Sequence, residues 1–415
     1  MTQKNSGGSL RSRYNFSADV LDVVIGGRSM IDASIGLELK TLEEANRFIK
    51  SYGYDFDNPI EKAELMGNFH EALNFVRKFF LQPENPQGLR IEIPRKILEL
   101  TDIAELFRMA GLHYPGQGHD TQGYYLKNWA CSILKVIHTI AHIDKDLRSP
   151  YFLEIQMQIL DRFYKVIHRD INGQLFLGDK DGNGFRVDLV AFETKPKKSR
   201  ESIILKLLHK PENVAEDIFD RVGIRFVTET PLGALKVVKY LRDKMIVMPP
   251  NIKPSRSRNT LIDIEALRSR LQDLLLRADR GEISEVEFTA QLEEVAKAPQ
   301  VGPENPHSSE YYRAIQFTVR QLIKLRNPLY ADLKELKNQA RSNPVHADLL
   351  KLIEKIDLTH IQREIRFFYP YEIQVFDRRG AEENERGRSA HSDYKRAQVL
   401  SAMKRVMGGL ADASR

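Results

Sequence analysis

The sequence predicts an α+β protein in which an N-terminal helical domain precedes a domain with a mixed β-sheet flanked by helices. The chain has 415 residues, more than one hydrophobic core usually serves, which favours two domains. Apolar residues recur at helical spacing from about residue 40 to 170, whereas β-rich runs alternate with helical segments from about 171 onward. We therefore expect a disordered tail over residues 1–15, a helical domain over 16–170 and a mixed-sheet domain over 171–415.

Three amphipathic segments account for the helical domain. The run AELMGNFHEALNFVRKFFL brings five apolar side chains near one face of a helix: Leu65, Phe69, Leu73, Phe75 and Val76. The runs NWACSILKVIHTIAHI and YFLEIQMQILDRFYKVI repeat this periodicity with a higher apolar content. We therefore expect helices that pack on each other.

The mixed-sheet domain begins with a predicted hairpin, since GQLFLGDKDGNGFRVDLVAFET has two β-rich runs around a cluster of Gly, Asp and Asn. A helix (SRESIILKLLHK), a strand (VGIRFVTE), a helix (GALKVVKYLRDK) and a short strand (MIVM) are predicted next. A helical insertion over about 251–305 is expected to form two antiparallel helices joined near Gly281. Strands in YYRAIQFTV and EIRFFYPYEIQVF and a last helix over about 390–408 complete the domain.

Composition limits the classes of function. No apolar run is long enough for a transmembrane helix, and the polar N-terminus lacks the apolar segment of a secretory signal. Cys131 is the only cysteine, which excludes a disulfide within the chain and disfavours a cysteine-built zinc site. We expect a cytoplasmic protein with no membrane partner. A net charge of +6 and a pI of about 9.1 are typical of a mildly basic soluble enzyme and leave a polyanionic partner open.

Two segments carry side chains that suit phosphate binding. In KPKKSRESIILK, Lys198, Ser202 and Lys206 recur every four residues, so on a helix they would share the face opposite its apolar side chains. Two ammonium groups and a hydroxyl near a helix start could hold a triphosphate, although a solvated lysine face is the alternative. In DRVGIRFV, Asp220 at a strand entrance could bind Mg²⁺ and Arg225 could clamp phosphate, or the two could form a surface salt bridge.

Two further segments lie in predicted strands near the C-terminus. In EYYRAIQFTV, Tyr312 could stack on a nucleotide base, although a strand tyrosine is more often simply packed. In EIQVF, Glu372 and Gln374 share one face of a strand while the residues between and after them are apolar. A carboxylate in that position requires a partner, and a metal ion is one.

Together these segments resemble the synthetase domain of the RelA/SpoT family, the (p)ppGpp pyrophosphokinases. That family reads R-x-K-x-x-x-S-I-x-x-K, then D-x-x-G-x-R, Y-x-S-x-H, E-x-Q and H-x-x-Y-K. The matching residues here are Lys198, Ser202, Ile203, Lys206, Asp220, Gly223, Arg225, Tyr312, Glu372, Gln374, His391, Tyr394 and Lys395. The departures are Pro196 for arginine, Ala314 for serine, Gln316 for histidine and Phe376 for a common arginine. The resemblance covers about 175–400, interrupted by the helical insertion.

The resemblance implies a nucleotidyltransferase-like synthetase fold and transfer of pyrophosphate from ATP to the 3′-hydroxyl of GDP or GTP. Asp220 and Glu372 would hold Mg²⁺, and Glu372 would also act as general base. Tyr312 would stack on the acceptor base. The other residues that the resemblance assigns to nucleotide or phosphate binding are Lys198, Ser202, Lys206, Arg225, Gln374, His391 and Lys395.

The departures from the family leave two alternatives open. Pro196 removes an arginine that contacts the donor nucleotide, and neighbouring Lys195 or Lys197 could substitute without its planar stacking. Gln316 removes a histidine, which affects guanine-nucleotide specificity. The same chemistry on an RNA acceptor such as the tRNA 3′ end, or a catalytically silent nucleotide-binding regulatory module, therefore stands beside alarmone synthesis.

Two other motifs are interpreted as structural. GDKDGNGFRVDLV resembles a calcium loop, but Val190 stands where the bidentate glutamate is required, so a hairpin turn is favoured. His138 and His142, with His119 and Asp120 before them, could indicate the HD-type hydrolase of long family members. The HD spacing is not met and the helix is apolar, so interior histidines are favoured.

Overall fold

The computed structural model describes residues 29, 31–32, 39–111, 121–146, 148–180, 185–195, 198–210, 221–296, 312–342, 348, 351–352, 355, 362–386 and 391–411. The protein is α+β, as the sequence predicts. It divides into two compact units. The helical unit comprises Met1–Leu147, Lys198–Ile218 and His391–Arg415, and the sheet unit comprises Arg148–Lys197 and Phe219–Ala390. These units group residues by their packing, so their bounds differ from those of the predicted domains 16–170 and 171–415. That division of the chain remains a prediction. The predicted tail over residues 1–15 lies outside the described residues.

The helices and strands are as follows in chain order. The helices are α1 (Leu42–Tyr52), α2 (Pro59–Phe80), α3 (Arg95–Leu98), α4 (Ile103–Gly111), α5 (Thr121–Asp144), α6 (Phe152–Tyr164), α7 (Arg200–His209), α8 (Pro231–Asp243), α9 (Ile264–Asp279), α10 (Glu285–Ala296), α11 (Pro328–Ser342), α12 (Arg378–Arg386) and α13 (His391–Ala411). The strands are β1 (Ile167–Arg169), β2 (Leu175–Leu177), β3 (Val187–Leu189), β4 (Ala191–Thr194), β5 (Gly223–Thr228), β6 (Arg258–Asn259), β7 (Ile315–Arg326) and β8 (Glu364–Asp377).

The helical unit is built around α5. Trp129, Ile133 and Ile140 on this helix are fully buried, and α2, α4, α7 and α13 pack against it. Local sequence signals set the helix starts: Thr41 forms a capping box at α1, and Asn58 caps α2 with a proline at its first position. The predicted apolar stripe of α2 is confirmed, because all five of its residues are buried: Leu65, Phe69, Leu73, Phe75 and Val76.

The sheet unit contains two sheets. A three-stranded antiparallel sheet has the order β1-β2-β3, and the pairing of β2 with β3 confirms the predicted hairpin. A five-stranded mixed sheet has the order β4-β5-β8-β7-β6, with β5 and β8 parallel and the other neighbours antiparallel. The last strand in sequence, β8, therefore lies in the middle of this sheet.

One face of the five-stranded sheet carries the core of the unit. Ile224, Phe226, Ile373, Val375 and Phe317 project into a cluster with residues of α6 and α8. Because strand side chains alternate between faces, the residues between them in sequence lie on the opposite face. That opposite face holds the candidate site.

The predicted helical insertion forms the hairpin α9–α10, which packs on α8 through a small apolar cluster. Its turn contains Gly281 at φ +70°, a backbone angle that glycine adopts without strain. The short strand predicted at MIVM is wrong. The N–H groups of Ile246 and Val247 both donate to the carbonyl oxygen of Leu241, so these two buried residues close the C-terminal end of α8, while Met245 and Met248 on either side are exposed.

Within the described parts of the chain, no helix combines the length and apolar content needed to cross a bilayer.

Candidate functional site

A polar row crosses all five strands on the face of the sheet opposite the core. Strand register pairs each member directly with the next: Glu193, Arg225, Gln374, Gln316 and Arg258. Directly paired residues point to the same side of a sheet, so these five side chains share one face. We call this the polar face, together with the neighbouring row of Gly223, Glu372 and Thr318.

Glu372 is the most enclosed acid of the polar face, with 7% of its surface exposed. Its Oε2 atom accepts a hydrogen bond from the Lys195 ammonium at 2.8 Å, and its Oε1 atom accepts one from the Gln316 amide at 2.6 Å. A carboxylate this far from water is tolerated because both oxygens have donors and one donor is a cation.

The orientation of the Gln316 amide follows from its other contacts. Its Oε1 atom accepts from the Gln374 amide at 3.3 Å and from the Tyr312 hydroxyl at 3.1 Å. With the oxygen engaged by two donors, the amide NH₂ group faces Glu372. Tyr312, Gln316, Gln374 and Glu372 thus form one hydrogen-bonded chain across β7 and β8.

Arg225 lies beside Gln374 on the neighbouring strand, and 17% of its side chain is exposed. Its guanidinium lies 3.3 Å from Glu193 and 3.6 Å from Glu385 of α12, and 5.2 Å from the ring centroid of Phe376. The Phe376 ring also meets Tyr312 edge to face at 5.8 Å. Phe376 therefore contacts both the Arg225 guanidinium and the Tyr312 ring. The RelA/SpoT pattern commonly has arginine at this position.

The donor set gives a partial fit to Mg²⁺. Asp220, the second predicted ligand, lies outside the described residues, and the described residues contain no group of three His, Cys, Asp or Glu side chains suited to a metal. The Lys195 ammonium nevertheless occupies a position beside Glu372 where a cation can bind. Mg²⁺ is commonly held by one or two carboxylates together with substrate phosphates. Glu372 fits as one such ligand, provided that Lys195 gives way.

The remaining predicted residues belong to the helical unit. Lys198 does not share a helical face with Ser202 and Lys206, because α7 begins only at Arg200. The hydroxyl of Ser199 caps the helix by accepting from the Ser202 N–H, and the extended backbone of Ser199 ends the helical spacing there. Lys395 is exposed on α13, and His391 begins that helix, with a side chain outside the described part of the structure.

The two motifs interpreted as structural have these surroundings. The predicted turn at Asp181–Gly184 lies outside the described residues, while Asp179 before it pairs with Lys244 at 2.8 Å. His138 lies on α5, where its Nδ1 atom is 2.6 Å from the Tyr52 hydroxyl and its ring centroid 4.4 Å from that of His142. Burial, followed by the neighbouring His142, lowers the pKa of His138 to about 4. His119 and Asp120 lie outside the described residues.

Two residues that contact Glu372, Lys195 and Gln316, are not among the predicted site residues. The sequence pattern offers Lys195 only as a substitute for the arginine missing at Pro196, and Gln316 only as a departure from the family's histidine. Gln316 does carry a signal in the sequence, since it alternates with the apolar residues Ile315, which is half-buried, and Phe317, which is buried, as Gln374 alternates with its neighbours. The contact of Lys195 with Glu372 spans 177 positions and has no local signal.

No protein family model matches the chain, and no solved structure matches it. Among curated proteins, the abscisic acid 8′-hydroxylase of Solanum lycopersicum is 22% identical over 219 residues. This match covers 49% of the chain and 43% of the hydroxylase, so the chain spans less than half the length of that relative. A likeness of this extent assigns neither a family nor an activity to the chain.

Proposed function

We propose that the polar face belongs to a nucleotidyltransferase-like synthetase fold of RelA/SpoT type. It would transfer pyrophosphate from ATP to the 3′-hydroxyl of GDP or GTP. One observation carries the proposal: residues of three separate motifs meet at one sheet face, where Arg225, Glu372 and Gln374 lie. Tyr312, which precedes β7, reaches that face through its hydrogen bond to Gln316. A chance set of motif matches has no reason to share a face.

The charges of the polar face suit a polyphosphate. Arg225 and Arg258 lie at different strands of the same row, and Lys195 lies beside the neighbouring row. Guanidinium groups bind phosphate oxygens in a bidentate manner, and an ammonium binds them as a point charge. These cations would hold the donor phosphates and balance the charge that develops during transfer.

In the proposed reaction, the acceptor 3′-oxygen forms a bond to the β-phosphorus of ATP, and the bond from that phosphorus to the α,β-bridging oxygen breaks. The products are a 3′-pyrophosphorylated guanine nucleotide and AMP. The Glu372 carboxylate would accept the hydroxyl proton. Mg²⁺, held by Glu372 and by Asp220, would neutralise phosphate charge. Tyr312 would stack on the acceptor base after its ring leaves Phe376.

A catalytically silent nucleotide-binding module is the second candidate, and one observation favours it. Both carboxylate oxygens of Glu372 already accept hydrogen bonds, one from Lys195 and one from Gln316. The RelA/SpoT pattern has a histidine at the position of Gln316. A regulatory module would retain the cationic side chains that bind phosphate, but it would lack a carboxylate free to act as general base.

The test is transfer of label from γ-³²P-ATP with Mg²⁺ to GDP, GTP or bulk tRNA, followed by chromatography. Label in a guanosine polyphosphate supports the proposal, and label in RNA moves the acceptor to tRNA. ATP binding without transfer favours the silent module. Absence of both binding and transfer overturns all three.

A matched pair of variants ties the activity to the polar face. Glu372→Gln should abolish transfer, because the amide can neither accept the proton nor neutralise a cation. Glu364→Gln makes the same change on the same strand, where Glu364 pairs with nearby Arg366 at 2.7 Å. It should leave transfer unchanged.

A further inference from the structure

We propose that Lys195 is a specificity residue of the polar face. The Lys195 ammonium occupies the cation position beside the Glu372 carboxylate until a nucleotide polyphosphate binds the ammonium and displaces it from that position. A divalent cation would then bind together with a nucleotide and not alone. This inference rests on the proposed function, because it assumes that phosphates enter the polar face.

The route of the lysine side chain is the first support. The Lys195 N–H donates to the carbonyl oxygen of Gly223 at 2.8 Å, and Gly223 is in register with Glu372. To reach Glu372, the lysine stem crosses directly over Gly223. A Cβ atom at Gly223 would lie 2.5 Å from Cδ, 3.0 Å from Cγ and 3.2 Å from Cβ of Lys195. The crossing therefore depends on a glycine inside a strand, a place where another group often makes a close approach.

The different exposure of the two partners is the second support. The Lys195 side chain is 27% exposed, whereas that of Glu372 is 10% exposed. The lysine is thus the more solvent-accessible member of the pair. A lysine ammonium sits on a flexible four-carbon stem and carries three rotatable donors, so it can exchange one anion for another without movement of the backbone.

The charge balance explains why exchange would need a nucleotide. Removing Lys195 alone would leave the enclosed Glu372 carboxylate without a cation, which is unfavourable. A free divalent ion would have to displace the ammonium from Glu372, and the two cations would then repel each other. A metal–nucleotide complex instead offers Lys195 a phosphate and brings its own oxygen ligands, so both cations keep an anion. Gln316 keeps its bond to the other oxygen of Glu372 in either state.

The test uses Mn²⁺ as the probe and measures its binding to the full chain by electron paramagnetic resonance, with and without ATP. The unaltered chain should bind free Mn²⁺ weakly and bind it at least tenfold more tightly when ATP is present. Lys195→Met should bind free Mn²⁺ at least tenfold more tightly than the unaltered chain does. Adding Glu372→Gln to Lys195→Met should remove that gain, which assigns the ion to this carboxylate.

Two controls keep the outcome decisive. Lys195→Gln retains a donor for Glu372 and should show the same gain if Lys195→Met folds poorly. Lys324→Met removes an exposed lysine from β7 and should change nothing. Free Mn²⁺ binding that is the same in both Lys195 variants and in the unaltered chain overturns the inference. Failure of the proposed function has a different signature, since ATP would then not tighten Mn²⁺ binding to the chain in any variant.

Discussion

The side-chain amide of Gln316 donates to the Glu372 carboxylate at 2.6 Å, although strand register pairs Gln316 directly with Gln374. The bond therefore runs diagonally from β7 to β8. In the RelA/SpoT pattern a histidine stands at the position of Gln316. A glutamine amide does not titrate near neutral pH, so this support of Glu372 is independent of pH in the present chain.

Replacing Gln316 with alanine should loosen the centre of the sheet. Loss of a hydrogen bond to an ionised, enclosed carboxylate typically costs about 1.5–3 kcal/mol. The measurement is hydrogen–deuterium exchange in peptides covering β8, whose opening free energy should fall by about that amount. Gln339→Ala on α11, where the side chain is exposed, should leave β8 unchanged. Equal protection in both variants would mean that the Gln316 contact contributes nothing to the sheet.

Arg225 should matter through its planar shape as well as its charge. Its guanidinium lies over Phe376 and between two acids, an arrangement that a lysine ammonium cannot reproduce. We expect Arg225→Lys to weaken ATP binding roughly tenfold, as measured by equilibrium dialysis. Arg366→Lys alters an exposed arginine on β8 and provides the matched control. An unchanged ATP affinity in Arg225→Lys would separate this residue from phosphate binding.

The alternation within single strands could be predicted from the sequence. Glu372 and Gln374 were expected on one face of a strand and Ile373 and Val375 on the other, and burial of the two apolar residues in the core agrees. This succeeds because the period of a strand is two and depends only on local geometry. The same reasoning failed at Met245–Met248, because a short apolar run suits a strand and a helix end equally well.

The neighbours of each strand could not be predicted in the same way. The central position of β8 between β5 and β7 brings Glu372 next to Gly223 and within reach of Lys195. Such pairing is determined by packing across long sequence separations, for which a single sequence carries no periodic signal. The helical face expected for Lys198 is absent for a local reason, because Ser199 caps α7 and the helix begins only at Arg200.

The alternation of β8 also predicts that its two faces can be altered independently. Tyr371 is fully buried in the core, beside Glu372 in sequence but on the opposite face, and its hydroxyl has no hydrogen-bond partner among the described residues. Burial raises the pKa of this hydroxyl, so it stays protonated. Tyr371→Phe removes an unpaired buried polar group and should stabilise the sheet unit by up to about 1 kcal/mol. Exchange protection of β8 should rise while ATP binding is unchanged. Weaker ATP binding would contradict the separation of the faces.

The stability of the helical unit should fall in mild acid because of His138. Burial, and then His142, lowers its pKa to about 4, while Tyr52 at 2.6 Å engages its Nδ1 atom. Burial raises the pKa of Tyr52, so its hydroxyl keeps the proton and forms a hydrogen bond with the neutral ring. In the unfolded chain the imidazole titrates near its ordinary pKa of about 6.5. Between about pH 6.5 and 4 the unfolded state therefore binds the additional proton, and stability falls as the pH falls.

Unfolding in urea, followed by the fluorescence of Trp129, measures this effect in the helical unit. Trp129 is the single tryptophan of the chain and is buried on the same helix as His138. From pH 7 to pH 5 the unaltered chain should lose about 2 kcal/mol through this group, and His138→Gln should not show that loss. His70→Gln, at an exposed position on α2, should retain it. If His138→Gln and the unaltered chain lose the same stability over this range, His138 does not carry the pH dependence, and its neutral, half-buried state in the folded protein would be refuted.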